Sequence, residues 1–79
     1  MDKIMSVTLY SKPACTQCNQ TKRDLQKYGI SYTEIDVTVD EEAFNALKER
    51  GVQQMPAVET GDDFWTGYNR AKIKALAGA

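Results

Sequence analysis

The sequence predicts an α/β domain of order βαβαββα, a four-stranded mixed sheet flanked by three helices, with residues 1–79 forming one domain. Three observations predict it. A β-branched apolar run near the start is followed by helix-period spacing and then by a second β-branched run, the pattern of a βαβ unit with parallel strands. Two short extended runs flank Thr60-Gly61-Asp62 and read as an antiparallel hairpin. The only two cysteines, Cys15 and Cys18, fall at the first strand-to-helix junction, an arrangement that points to thiol–disulfide exchange.

Ile4 to Tyr10 is mainly apolar and rich in strand formers, as suits a strand covered on both faces. Ser11-Lys12-Pro13-Ala14 breaks it, because Pro13 has no N–H for a ladder and disfavours helical geometry at Lys12. The chain turns there and delivers Cys15 to the start of a helix running to about Tyr28. Cys18, Thr21, Leu25 and Tyr28 share its apolar stripe, and Gly29 supplies a left-handed stop. Ile30 to Val37 is the second strand.

Asp40 can cap the next helix, Glu41 and Glu42 favour the positive end of its dipole, and Val39 is placed to staple onto Phe44. Phe44 and Leu47 supply its buried stripe, and Gly51 ends it. Val52 to Met55 leads into Pro56, and the hairpin strands are Ala57 to Glu59 and Asp63 to Thr66. Gly67 permits a tight bend. Asn69 then caps a last helix, Arg70 to Ala77, with Tyr68 placed to staple onto Ile73 and with Ile73 and Leu76 facing the sheet. Met5 offers a second possible start, with Met1 to Ile4 as a short extension.

Composition narrows the function classes. Ten Lys and Arg stand against 11 Asp and Glu with no basic cluster, which argues against nucleic acid as a partner. The apolar runs fall far short of the ~20 residues that span a bilayer, and the N-terminus lacks the pattern of a signal peptide. The expected compartment is the cytoplasm, with no membrane partner. There, a close cysteine pair reads as reactive or metal-binding sooner than as a static staple.

The two cysteines lie one turn apart on a helix face, so their sulfurs can bond without backbone movement. Cys15, at the helix start, has its sulfur near unpaired N–H groups and the positive dipole end, which favours the thiolate and makes it the expected nucleophile. Cys18, one turn in and more shielded, is the expected resolving thiol that closes a Cys15–Cys18 disulfide. Two thiols and no histidine argue strongly against a zinc ribbon within one chain. A dimer sharing a metal or an iron–sulfur cluster is the alternative from another function class.

The stretch Leu9-Tyr10-Ser11-Lys12-Pro13-Ala14-Cys15-Thr16-Gln17-Cys18-Asn19, with the βαβαββα order, resembles the thioredoxin fold in its short glutaredoxin-like form, and most closely the NrdH redoxins. That resemblance covers essentially the whole chain. It implies a thiol donor that reduces the large subunit of class Ib ribonucleotide reductase and is re-reduced by thioredoxin reductase at the expense of NADPH. It implies no bound cofactor and a monomer. Thr16-Gln17 stands where glutaredoxins commonly have Pro-Tyr.

Met55-Pro56 falls where proteins of this resemblance carry a cis-proline facing the cysteines, which leaves the Met55 backbone to pair with an extended substrate segment. Trp65-Thr66-Gly67-Tyr68 resembles the Trp-Ser-Gly-Phe signature of NrdH redoxins. The Gly-Gly-Asp turn of glutathione-using relatives is absent, which disfavours the alternative of a glutathione-dependent glutaredoxin. Asn69-Arg70-Ala71-Lys72 departs from the usual Arg-Pro-Asp continuation, so the tie from this loop to the second helix is expected to differ. Trp65 reads either as a half-buried packing residue or as a docking residue. Lys12 can assist the thiolate or simply be solvated, Tyr10 reads as core, and Thr16 and Gln17 are expected to be exposed contacts in the active-site turn.

Overall fold

A computed structural model describes residues 6–77; Ile4 of the expected first strand and the alternative start at Met5 lie outside the described residues. The elements are β1 (Thr8–Ser11), α1 (Thr16–Lys27), β2 (Thr33–Asp36), α2 (Glu41–Glu49), β3 (Ala57–Glu59), β4 (Phe64–Thr66) and α3 (Arg70–Ala77), in the expected order. They form a four-stranded mixed sheet of order β2-β1-β3-β4. β1 and β2 are parallel, and β3 runs antiparallel to both β1 and β4.

Alternation along the strands sorts side chains onto two faces. Leu9, Val58 and Trp65 are register partners across the sheet and join Val7, Leu25 and Ile73 in one buried cluster, where α1 and α3 pack together. On the opposite face Ala57, Val37 and Leu47 form a second cluster that Tyr10, Phe64 and Met55 partly cover, so among the described residues α2 is the one helix on that side. Helices on both faces explain why β1 reads as nearly continuous apolar sequence.

The helix ends follow local chemistry. Asp40 accepts the backbone N–H of Ala43 at 3.0 Å, and Asn69 accepts that of Lys72 at 3.1 Å, both N-caps. Gly29 takes φ +70° just past α1, closing its C-terminus as a side-chain-free residue can.

Several expectations are corrected. The first strand is shifted, because the Val37 N–H donates to the Ser11 carbonyl and brings Ser11 into the ladder. The second strand is shorter than Ile30 to Val37, since Ile30 N–H is engaged by the Leu25 carbonyl in closing α1. The hairpin's second strand begins at Phe64, because Asp63 is held in the turn with Thr60. Val39 is 81% exposed and Phe44 45% exposed, so the pair forms no buried staple and Phe44 does not share the buried stripe of Leu47.

Candidate active site

The chain leaves β1 at Ser11 and turns through Pro13 and Ala14, where Ala14 adopts a left-handed φ of +56°. That turn sets Cys15 in extended geometry (φ −115°) as the N-cap of α1, so its sulfur takes the place usually held by a serine or aspartate oxygen. The backbone N–H of Cys18 donates to Cys15 Sγ at 3.1 Å. Cys15 and Cys18 are joined as a disulfide, with Cα atoms 5.2 Å apart. Cys15 is 8% exposed and Cys18 1%, so Cys15 is the more accessible of the two.

Opposite the disulfide, the loop between α2 and β3 carries the Met55-Pro56 peptide bond in the cis form. Its Met55 carbonyl oxygen stands 3.8 Å from Cys15 Sγ. Gly67 N–H donates to the Pro56 carbonyl at 2.7 Å, which binds the loop after β4 to the proline loop. Gln17 Oε1 accepts the Tyr68 N–H at 3.3 Å, and Gln54 Nε2 donates to Thr66 Oγ1 at 3.5 Å. Gly67 has φ +79° and lies beneath both amides: a Cβ there would stand 3.6 Å from Gln54 Nε2 and 3.7 Å from Gln17 Oε1.

Contacts thus link Cys15, Cys18, Gln17, Met55, Pro56, Thr66, Gly67 and Tyr68 into one cluster. Thr16 and Gln17 are both exposed, in the turn of helix that bears the cysteines. Lys12 is exposed on the rim of an adjoining groove lined by Val39, Phe44, Val52, Gln54 and Met55. Trp65 differs: at 7% exposure it packs with Leu9 and Val58 in the core, and its indole does not present a docking face. The loop after β4 ties to α1, through Gln17 and through a hydrogen bond from the Tyr68 hydroxyl to the Asp24 carboxylate. That bond, with partial burial, raises the Tyr68 phenol above its ordinary value.

Gln54 and Asp24 were not legible as site residues from motif alone. Gln54 immediately precedes Met55-Pro56, and Asp24 lies seven positions after Gln17 on the same side of α1; spacing of that kind is the signal that points to them. Farther from the cysteines, buried Ser11 donates to Glu34 at 2.8 Å, and this bond and the one from Lys22 hold the Glu34 carboxyl below its ordinary range. No cluster of three or more metal-ligating side chains occurs among the described residues.

A cysteine pair at the N-terminus of α1, facing a cis-proline loop across one end of a mixed sheet, defines a thiol–disulfide oxidoreductase of thioredoxin-like fold. Residues 7–65 match the Glutaredoxin family model, and the glutaredoxin-like protein NrdH of Escherichia coli K12 is 36% identical over 91% of this chain and 89% of its own. The chain belongs to the glutaredoxin family and, within it, to the NrdH glutaredoxin-like proteins. The NrdH protein of Salmonella typhimurium is 33% identical over the same shares of the two chains. The solved structure of Escherichia coli NrdH-redoxin, described as having a thioredoxin-like activity profile, superposes with a TM-score of 0.88 at 35% identity, covering 90% of this chain and 93% of that one.

Proposed function

We propose that this protein is a cytoplasmic, monomeric dithiol carrier that takes electrons from thioredoxin reductase, and so indirectly from NADPH, and passes them to the large subunit of class Ib ribonucleotide reductase. It carries no bound cofactor in this reading. The observation that supports it most is the loop after β4: Trp65 to Tyr68 resembles the Trp-Ser-Gly-Phe signature of NrdH redoxins, and its Tyr68 N–H is taken up by Gln17 from the active-site turn. The thioredoxin-like activity profile of the Escherichia coli relative supports the same electron source.

In the working cycle the Cys15 thiolate attacks one sulfur of the target disulfide and forms a mixed disulfide, releasing the target's other sulfur as a thiolate. Cys18, as thiolate, then attacks the Cys15 sulfur; the Cys15–Cys18 bond forms and the target leaves fully reduced, two electrons richer. The Cys18 N–H bonded to Cys15 Sγ favours the negative sulfur before attack and on departure. An extended target segment can pair with the Met55 backbone, 3.8 Å from the reacting sulfur, in the manner of an added strand.

The electron source is tested by mixing the oxidised protein with NADPH and thioredoxin reductase, and separately with glutathione, glutathione reductase and NADPH. The first mixture reduces the Cys15–Cys18 disulfide and the second does so poorly. Reduction only in the second mixture overturns the assignment.

A further inference from the structure

The loop after β4 ties to the proline loop and to the cysteine-bearing turn through two backbone N–H groups, and neither is free. Gly67 N–H is held by the Pro56 carbonyl at 2.7 Å and Tyr68 N–H by Gln17 Oε1 at 3.3 Å. The two holds differ in kind. The first is backbone to backbone and fixed by the fold, whereas the second comes from an exposed side chain and can be removed without touching the chain's course.

A small peptide thiol such as glutathione buries little apolar surface. Charge-assisted hydrogen bonds from its carboxylates to N–H donors beside the reacting sulfur would have to supply most of its orientation. Here the donor that a carboxylate could claim is already satisfied from within. The space above Gly67 is also occupied, by the amides of Gln17 and Gln54 at van der Waals range from where a Cβ would stand. An entering carboxylate must displace Gln17, and an acceptor replaced by another acceptor gains little net hydrogen bonding.

We infer that Gln17 is a specificity-determining residue: its side-chain carbonyl occupies the Tyr68 N–H that a carboxylate-bearing small thiol would use, and so biases the site toward protein partners. The inference rests on the proposed preference for a protein electron source. It concerns this step: glutathione thiolate attacks Cys15 sulfur, Cys18 leaves as thiolate, and a second glutathione thiolate then attacks the glutathione sulfur, giving glutathione disulfide and the Cys15 thiolate. Two electrons pass from two glutathiones to one protein disulfide.

The test compares wild type, Gln17→Ala and Gln17→Glu. Reduction of the oxidised protein is timed with glutathione and with 2-mercaptoethanol, a thiol that has no carboxylate. Gln17→Ala frees the N–H, and the ratio of the glutathione rate to the 2-mercaptoethanol rate rises about fivefold, as one recovered hydrogen bond allows. Gln17→Glu keeps the acceptor and adds negative charge, so its ratio does not rise. In addition, titration with S-methylglutathione, which cannot react, shifts the Tyr68 amide resonance in Gln17→Ala and leaves it in place in wild type. An unchanged ratio in Gln17→Ala, an equal rise for both thiols, or a rise in Gln17→Glu overturns the inference. Wild-type protein that thioredoxin reductase cannot reduce overturns instead the electron source, whatever the variants do.

Discussion

The Cys18 backbone N–H donates to the Cys15 sulfur at 3.1 Å, so the second cysteine of the motif supports the first through its main chain, apart from the resolving role proposed for its side chain. The two roles separate on mutation. Cys15→Ser abolishes exchange with every partner. Cys18→Ser retains the N–H but not the resolving thiol, so it accumulates a mixed disulfide through Cys15 that mass spectrometry detects. Equal failure of both variants to trap a partner contradicts this division.

Sequence pattern treats α1 and α2 alike, but the two helices differ in how deeply their apolar residues are buried. Leu25 is wholly buried between α1 and the sheet, so Leu25→Ala costs about 2–5 kcal/mol. A domain of 79 residues has little stability to spare against such a loss. Phe44 is 45% exposed on α2, and Phe44→Ala costs under about 1 kcal/mol. Chemical denaturation of both variants checks the ordering; a larger loss at Phe44 contradicts the placement of α2.

Trp65 gives an optical test of its burial. It is the single tryptophan, sits in the core cluster, and its buried Nε1 has no hydrogen-bond partner among the described residues. Its emission is expected to be blue-shifted and poorly quenched by iodide in the folded protein, then red-shifted on unfolding. Ready quenching in the folded state contradicts the core position and restores a docking role.

The Tyr68 phenol makes a prediction about alkaline stability. Its hydrogen bond to Asp24 and its burial raise it, and burial with Glu59 nearby raises Tyr10. Both groups hold their protons more tightly when folded, so their contribution is complete below the ordinary tyrosine range and is lost as pH rises through the folded values. Melting temperature therefore falls in alkali, and Tyr68→Phe, which has no proton to lose, shows a shallower fall. An identical alkaline fall in the variant contradicts the Tyr68–Asp24 bond.

Much of this fold is legible because the signals are local. The caps Asp40 and Asn69, the stop at Gly29 and the placement of Cys15 at a helix start each depend on neighbours within a few residues. Phe44 reads as core from spacing and Val39 as its staple partner, yet among the described residues α2 is the only helix on its face and leaves both at an open groove. Trp65 reads as either core or surface because tryptophan serves both; register with Val58 decides it. Gln17 reads only as exposed, since its partner Tyr68 lies 51 residues away and no local pattern announces such a pair.

The most direct test of the proposed function is full reconstitution. Class Ib ribonucleotide reductase, NADPH, thioredoxin reductase and this protein are combined with a ribonucleotide substrate, and deoxyribonucleotide is measured. Product forms with all components and is lost when this protein is omitted or replaced by Cys15→Ser. Absence of product with all components present, while a small dithiol sustains the same reductase, contradicts the account.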